Sequence, residues 1–481
     1  HSNTSVELLS ATTTFPTRTS AIAAILPVSV SLITVAGRLY KRDAIGTALI
    51  QADGTKWSPA FAITVDHWMD NTLPGVTDMQ PAIQAMLDWI AASGAGSYNT
   101  TSNYTVSLAN SKYALGKPVV IGRGLAYGTG KLYNVAFEYG TIVPLASGDW
   151  SDLAPEVPAA CFVLCDYMAS GSFDQAAYPI ENISFFKTLF DLRFVTGAIY
   201  CENTRSVSID RVSIVDVGHE ASAVRTSIAN TIRGAETRNG EMTITDTWVD
   251  GDAGNSSAVP VGRRFEGLAP TQTTTVGVPL VLNGVDCTAG EFVTVTGPVI
   301  IEVRTGTPYL SAGTRVQVTG FEDLSRTVPV TEIITLRENS TQWQVAYSIS
   351  RFSVVTSVVV LDALSGTITV QASRQSIALR LGTGDIRVTR GSVKSVSYAG
   401  WFEGGGNNLF TDWHPWSKEV YIGPAAMGYV FHGCYWDFVD VRCYSPRVVF
   451  DGSRSLAGSP QIRIYASAPN STGSEIAVIN T

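Results

Sequence analysis

Between Gly384 and Asp451 the chain alternates short apolar runs with turns: IRV, SVKSVSY, NLFTDW, YVF and VVFD follow one another. Inside most runs the apolar positions recur with period two, the pattern of a strand with one buried face. Placed in register, Ile386, Phe410 and Phe431 fall 24 and 21 residues apart. ISFF from Ile183, SVSID from Ser206 and MTITD from Met242 have the same shape further upstream. A strand-and-turn unit recurring at this interval predicts a solenoid, in which each unit buries its apolar face only by stacking on its neighbours. No helical period separates the units. The expected fold is therefore all-β: a right-handed parallel β-helix.

The pattern changes at both ends and once in the middle. Residues 1–75 read as a small β module, with SVSLITVAGRLYKRD and a hairpin signal at Asp53-Gly54. TDMQPAIQAMLDWIAA carries a helical stripe of Met79, Ile83, Met86, Leu87 and Ile90, with Thr77 or Asp78 as cap. A helix ahead of a solenoid is expected to cover its open end, whose unpaired strand edges would otherwise template aggregation. Residues 76–260 then hold that helix and the first coils, with a long irregular loop over 149–175. Residues 261–381, with longer alternating strands such as FVTVTGPVIIEVRTG and TRVQVTGF, read as an inserted antiparallel β-domain. Its Val, Thr and Gln faces suit a sugar- or protein-contacting module, and a spacer equally. The solenoid is expected to continue over 382–451 and to close with strands in 452–481.

Composition narrows the function class. Only 15% of residues are charged, net charge is −8, and Gly (43) and Tyr (18) are abundant. A hydroxylic, weakly acidic β-rich surface with no basic cluster argues against nucleic acid as partner. No apolar run reaches the length of a membrane helix, since Ser20–Val35 is short and broken by Pro27. The six cysteines show no CxxC pair or metal spacing and are expected to be buried thiols. No cofactor is implied. The start at His1-Ser2, without Met, is expected for a piece of a longer protein.

FPTRTSAIAAILPVSVSLITVAGRLYKRDAIGTALIQADGTKWSPA followed by TDMQPAIQAML resembles the lead-in of bacteriophage tailspikes, the capsule depolymerases built on a pectate-lyase-like β-helix. GNNLFTDWHPWSKEVYIG and GYVFHGCYWD are similar to two consecutive coils of such spikes, with an Asn before the strand, a HPW turn and a later Cys-Tyr-x-Asp. The matches cover about a third of the chain, and the 261–381 insert has no counterpart. The resemblance implies a pectin-lyase-like fold and a virion protein of the phage tail, a homotrimer that binds and depolymerises a bacterial surface polysaccharide. It transfers no catalytic residue.

Hydrolysis of a glycosidic bond needs one protonated and one ionised carboxyl, about 5 Å apart for retention and about 6.5–9.5 Å for inversion. Coils stacked about 4.8 Å apart provide both spacings. The candidate acids are Glu403, Asp412, Asp246 and Asp250, with Asp252 beside them. Glu403 comes first, because Trp401 and Phe402 surround it with apolar groups that favour a protonated acid. In NLFTDWHPW two readings stay open. Either Phe410, Asp412 and His414 face outward as a sugar-binding stripe, or Phe410 faces in and Asp412 is buried and structural. His414, Trp401, Trp413, Trp416, Tyr398 and Arg390 are the substrate-binding candidates, with Tyr421 and Trp436 as further stacking surfaces. A site between subunits would instead use Asp210, Asp216 and Glu220. A β-eliminating lyase would take His414 or Tyr398 as base, with Arg390 or Lys394 neutralising a uronate. A protein that binds glycan without cleaving it needs only the aromatic residues. No metal site of calcium-loop spacing is present.

Overall fold

The computed structural model describes the chain except for residues 1–12, 96–103, 130, 155–156, 168–179, 194, 219–220, 228–239, 252–263, 274, 283–286, 289–290, 294–299, 306–313, 322–326, 336–344, 348–351, 353, 364–366, 374–375, 395, 397, 418, 438, 446, 456–461, 465–474 and 480–481. Three parallel sheets run the length of the molecule, and each coil contributes one strand to each in turn. The first sheet has eleven strands, from Ile63–Thr64 to Glu475–Ile479. The second has seven, from Lys112–Leu115 to His414–Trp416, and Tyr435–Trp436 pairs with Arg454–Ser455 beyond it. The third has nine, from Val119–Ile121 to Ile462–Ile464. The chain folds as a right-handed parallel β-helix.

Period-two alternation puts one column of apolar residues inside each sheet. In the first sheet Phe137, Phe185, Ile209, Ile244, Val388, Phe410, Phe431 and Phe450 are successive register partners, all at most 1% exposed. The rings of Phe431 and Phe450 stack at 5.2 Å with 11° between planes. Ile386 lies opposite Asn408, two residues from the alignment expected with Phe410. A shift of two keeps the same face inward, so the apolar pattern alone does not reveal it.

After each of eight first-sheet strands one residue takes a left-handed conformation: Tyr139, Lys187, Arg211, Asp246, Arg390, Asp412, Gly433 and Gly452, with φ between 47° and 64°. Each donates its N–H to a carbonyl of the next coil, as Asp412 does to His432 at 3.0 Å. This bend resets the alternation. Phe410 and Trp413 both point into the core while Asp412 between them is exposed. Both readings of NLFTDWHPW are thereby corrected: Phe410 is inside, yet Asp412 is not buried.

The N-terminal end of every sheet is closed differently. Ile63–Thr64 adds a short strand to the first sheet. Gly75 and Met79 donate backbone N–H to Lys112 and Ala114 of the second, at 3.0 and 2.8 Å. The third is closed by the helix Gln80–Ile90, where Asp78 Oδ1 accepts from Gln80 N and from Gly116 N. Its buried face carries two glutamines beside the expected apolar stripe. Gln84 Oε1 accepts from Val120 N at 3.0 Å, Gln84 Nε2 donates to Val120 O at 2.9 Å, and Gln80 Nε2 donates to Pro118 O at 2.9 Å. Side-chain amides thus take the place of the missing strand. Buried peptide groups demand such partners.

The insert leaves the solenoid after Trp248–Asp250 of the second sheet and returns before Ile377–Leu381 of the third, within one coil. Its strands, from Arg264–Thr273 to Thr367–Ser373, form antiparallel sheets of four and five strands. Ile377–Leu381 pairs in parallel with Ser222–Thr226 and Tyr398–Phe402, so it is a rung of the solenoid and not the end of the insert.

Candidate functional site

The predicted site residues fall on three separate surfaces. Asp246, Arg390 and Asp412 lie at the bend between the first and second sheets, on successive coils. Arg390 grips Asp246 with two bonds of 2.7 and 3.1 Å, which hold the Asp246 carboxyl below its usual range and the guanidinium above. Asp250 belongs to the second sheet and pairs with Lys394 at 2.8 Å. His414 and Trp416 lie on the same sheet, where His414 Nε2 meets Asp437 Oδ2 at 3.0 Å. Glu403, Trp401 and Tyr398 belong to the third. Trp413 is fully buried in the core among Phe410, Phe402 and Trp436, which removes it as a sugar contact. The acids therefore do not form one group. Among the expected intersubunit residues Asp210 ends a first-sheet strand and Asp216 follows the second-sheet strand Ser213–Val215, whereas Glu220 lies outside the described residues, as does Asp252.

The third sheet gathers the richest chemistry. Its pairing aligns Tyr200, Arg225, Arg380, Trp401, Tyr421 and Arg442 as one outward column on consecutive coils. The Trp401 ring stacks on Tyr421 at 4.5 Å and meets Tyr398 edge-on at 4.7 Å. Trp401 Nε1 is buried and makes no hydrogen bond to a described residue. Tyr444 continues the aromatic surface 5.5 Å from Tyr421. Burial pushes the Tyr421 hydroxyl up, reinforced by the charges of Tyr444, Glu403 and Glu419.

Charged groups flank these rings. Arg380 donates to both oxygens of Glu403, at 3.0 and 2.8 Å, so Glu403 sits in an ion pair and not in the apolar pocket its neighbours suggested. Phe402, one of the two neighbours that suggested it, points into the core. Arg442 pairs with Glu419 at 3.3 Å. Arg225 lies 5.8 Å over the Tyr200 ring, and Tyr200 donates its hydroxyl to Glu202 at 2.8 Å. Burial lowers the Arg225 pKa and Arg380 lowers it further, against the fields of Tyr200, Glu403 and Asp152. Asp152 comes from the loop after Leu145, whose Leu153, Ala154 and Val157 pack on Val163, Cys165 and Tyr200. That loop covers one end of the column; the aromatic cluster forms the other. Among the described residues no group of three or more His, Cys, Asp or Glu is placed to hold a metal ion.

Arg225, Arg380 and Arg442 were missed by sequence reasoning. Aligning SAVRT, IALRL, YAGWF, EVYI and DVRC would have put them in one column with Trp401 and Tyr421. The insert, which separates the first two runs, hides that alignment.

No protein-family model and no curated protein matches the chain. Solved structures follow a similar course. A mutant tailspike protein of E. coli bacteriophage HK620 in complex with a hexasaccharide aligns over 86% of this chain and 62% of its own, with 9% identity and a TM-score of 0.38. The HK620 tailspike protein with a pentasaccharide aligns over 92% and 69%, at 10% identity and a TM-score of 0.34. The A-module of the Azotobacter vinelandii mannuronan C-5 epimerase AlgE4 aligns over 87% and 94%, at 10% and 0.31. The chain thus spans 62% of the first of these. The likeness is one of fold, and the fold itself rests on the strand pairing described above. Among the described residues no helix is long and apolar enough to cross a membrane.

Proposed function

We propose that this chain is part of a phage tailspike that binds a bacterial surface polysaccharide along the outer face of the third sheet and depolymerises it by hydrolysis. The observation that carries the reading is the cluster of Trp401, Tyr421 and Tyr398 beside the Arg380–Glu403 pair. Aromatic faces bind the apolar faces of sugar rings, while the guanidinium groups bind hydroxyl and acidic substituents. Glu403 is one catalytic carboxyl. Asp246, Asp250 and Asp412 do not pair with it, since their side chains belong to other surfaces. Assembly as a homotrimer on the virion, joined to the phage tail through a region outside this chain, goes with the same reading.

One observation favours a second reading. The oxygens of Glu403 are both taken by Arg380, an arrangement that suits binding without cleavage. The test is digestion of a panel of purified capsules, exopolysaccharides and O-antigens, followed by light scattering, reducing-end release and ultraviolet absorbance. Hydrolysis shortens one polymer and releases reducing ends, and Glu403→Gln slows it by about 10²- to 10⁴-fold. Trp401→Ala weakens binding about tenfold, equivalent to about 1.4 kcal/mol. Binding with no shortening selects the second reading, and an unsaturated, absorbing product selects a lyase. A panel neither bound nor shortened rejects the proposal.

A further inference from the structure

The outer face of the second sheet carries a different arrangement. Register pairing places Trp248, Ser392 and His414 side by side on three consecutive strands, about 4.8 Å apart. His414 Nε2 is bound to Asp437 Oδ2 at 3.0 Å, and its ring packs on Tyr435 at 4.9 Å. Asp437 is 7% exposed and its Oδ1 has no partner among the described residues, so the buried acid spends its bonding on the imidazole. With Nε2–H donated to Asp437, Nδ1 is the basic nitrogen. The half-buried Ser392, on the adjoining strand, makes no side-chain hydrogen bond to a described residue. On its other side stands Trp248, 48% exposed, with Lys394 Nζ 5.2 Å from its ring centre.

We propose that this face is a serine esterase site for O-acylated sugars, with Ser392 as nucleophile, His414 as base and Asp437 as the residue that positions His414. Ser392 and His414 are register partners, and Asp437, in register with Trp416 on the next coil, reaches back to His414. A turn of the free Ser392 hydroxyl toward Nδ1 completes the order of nucleophile, base and orienting acid that activates serine on unrelated folds. Trp248 is the platform for the sugar ring. Ser392 Oγ attacks the acyl carbonyl and its proton passes to His414 Nδ1. Lys394, on the same face and held to Asp250 at 2.8 Å, turns the positive end of that pair toward the oxyanion. The ester C–O bond breaks as His414 returns the proton to the departing sugar oxygen, leaving the acyl group on Ser392. Water, deprotonated by His414, then releases the carboxylic acid and restores the serine. The surface is separate from the outer face of the third sheet, so removal of acyl groups and cleavage of the chain are distinct activities.

The test uses the whole chain with p-nitrophenyl acetate and glucose penta-acetate, acetate being followed by NMR, together with a fluorophosphonate probe and peptide mapping. Acetate release above the buffer rate and an adduct on Ser392 are expected. Ser392→Ala abolishes both, and His414→Ala slows release by about 10²- to 10⁴-fold. Asp437→Asn slows release at an unchanged melting temperature, and Asp437→Glu restores part of it, which a merely structural carboxylate would not do. Absence of both acetate release and the Ser392 adduct in the unaltered protein overturns the proposal without relying on any variant folding. Release that persists in Ser392→Ala overturns it equally. Small acylated sugars report nothing about polymer length, so this site and the third-sheet reading can fail independently.

Discussion

Replacing Gln84 with Leu tests whether a side-chain amide closes the end of the solenoid. The change keeps the volume and apolar stem but deletes both bonds to Val120, of 3.0 and 2.9 Å. An orphaned buried peptide group costs about 1–3 kcal/mol, or about 2–6 kcal/mol for two. Burial of the leucine and relief from desolvating the amide return about half, so the net local cost is about 1–3 kcal/mol. Amides of the neighbouring strand Ala160–Cys165, paired with Val119–Ile121, should then exchange about 5- to 150-fold faster. Gln80→Leu, which removes only the bond to Pro118, should have a smaller effect. Hydrogen exchange read by mass spectrometry on both variants is the assay. Coils of a solenoid contact only their neighbours, so the strand Arg447–Asp451 at the far end should be unaffected. Unchanged exchange at Ala160–Cys165 refutes the capping role. An equal rise at Arg447–Asp451 refutes its local character.

Phe431→Ala should cost about 3–5 kcal/mol, since the ring is fully buried against Phe410, Phe450 and Trp436; urea unfolding checks it, and a loss below about 1 kcal/mol contradicts the stacked column. Burial lowers the pKa of His67 to about 4, against the opposing hydrogen bond to Thr64, so the folded module keeps it neutral where the unfolded chain would protonate it. Its contribution is therefore complete above about pH 6.5 and is lost as pH falls toward about 4, by up to about 3 kcal/mol. Urea midpoints at pH 7 and pH 4.5 should show this slope, and His67→Gln should flatten it; an undiminished slope in the variant assigns the acid sensitivity elsewhere.

Much of the architecture was legible because solenoid strands obey a local rule. The alternation in SVSID or MTITD places Ile209 and Ile244 inside without knowledge of any partner. The helical stripe from Met79 to Ile90 likewise announces a surface that must be covered. The roles of Gln80 and Gln84 were not legible. A glutamine on the buried face reads as a flaw in the stripe until the edge of the Val119–Ile121 strand is known to lie against it. Glu403 illustrates the same limit: its neighbours in sequence are aromatic, but its neighbour in space is Arg380, one coil earlier.

The amino-acid order by itself determined the strand periodicity, the interrupted coil, the terminal helix and the weakly charged surface, because each depends on residues within one turn of chain. Which side chains share an outer face was decided only by stacking. Trp401 joins Tyr421, and Ser392 joins His414 and Asp437, through pairing between coils some twenty residues apart. A single left-handed residue at each bend resets the inward and outward count there. No alternation rule read along the chain can carry a face across such a bend.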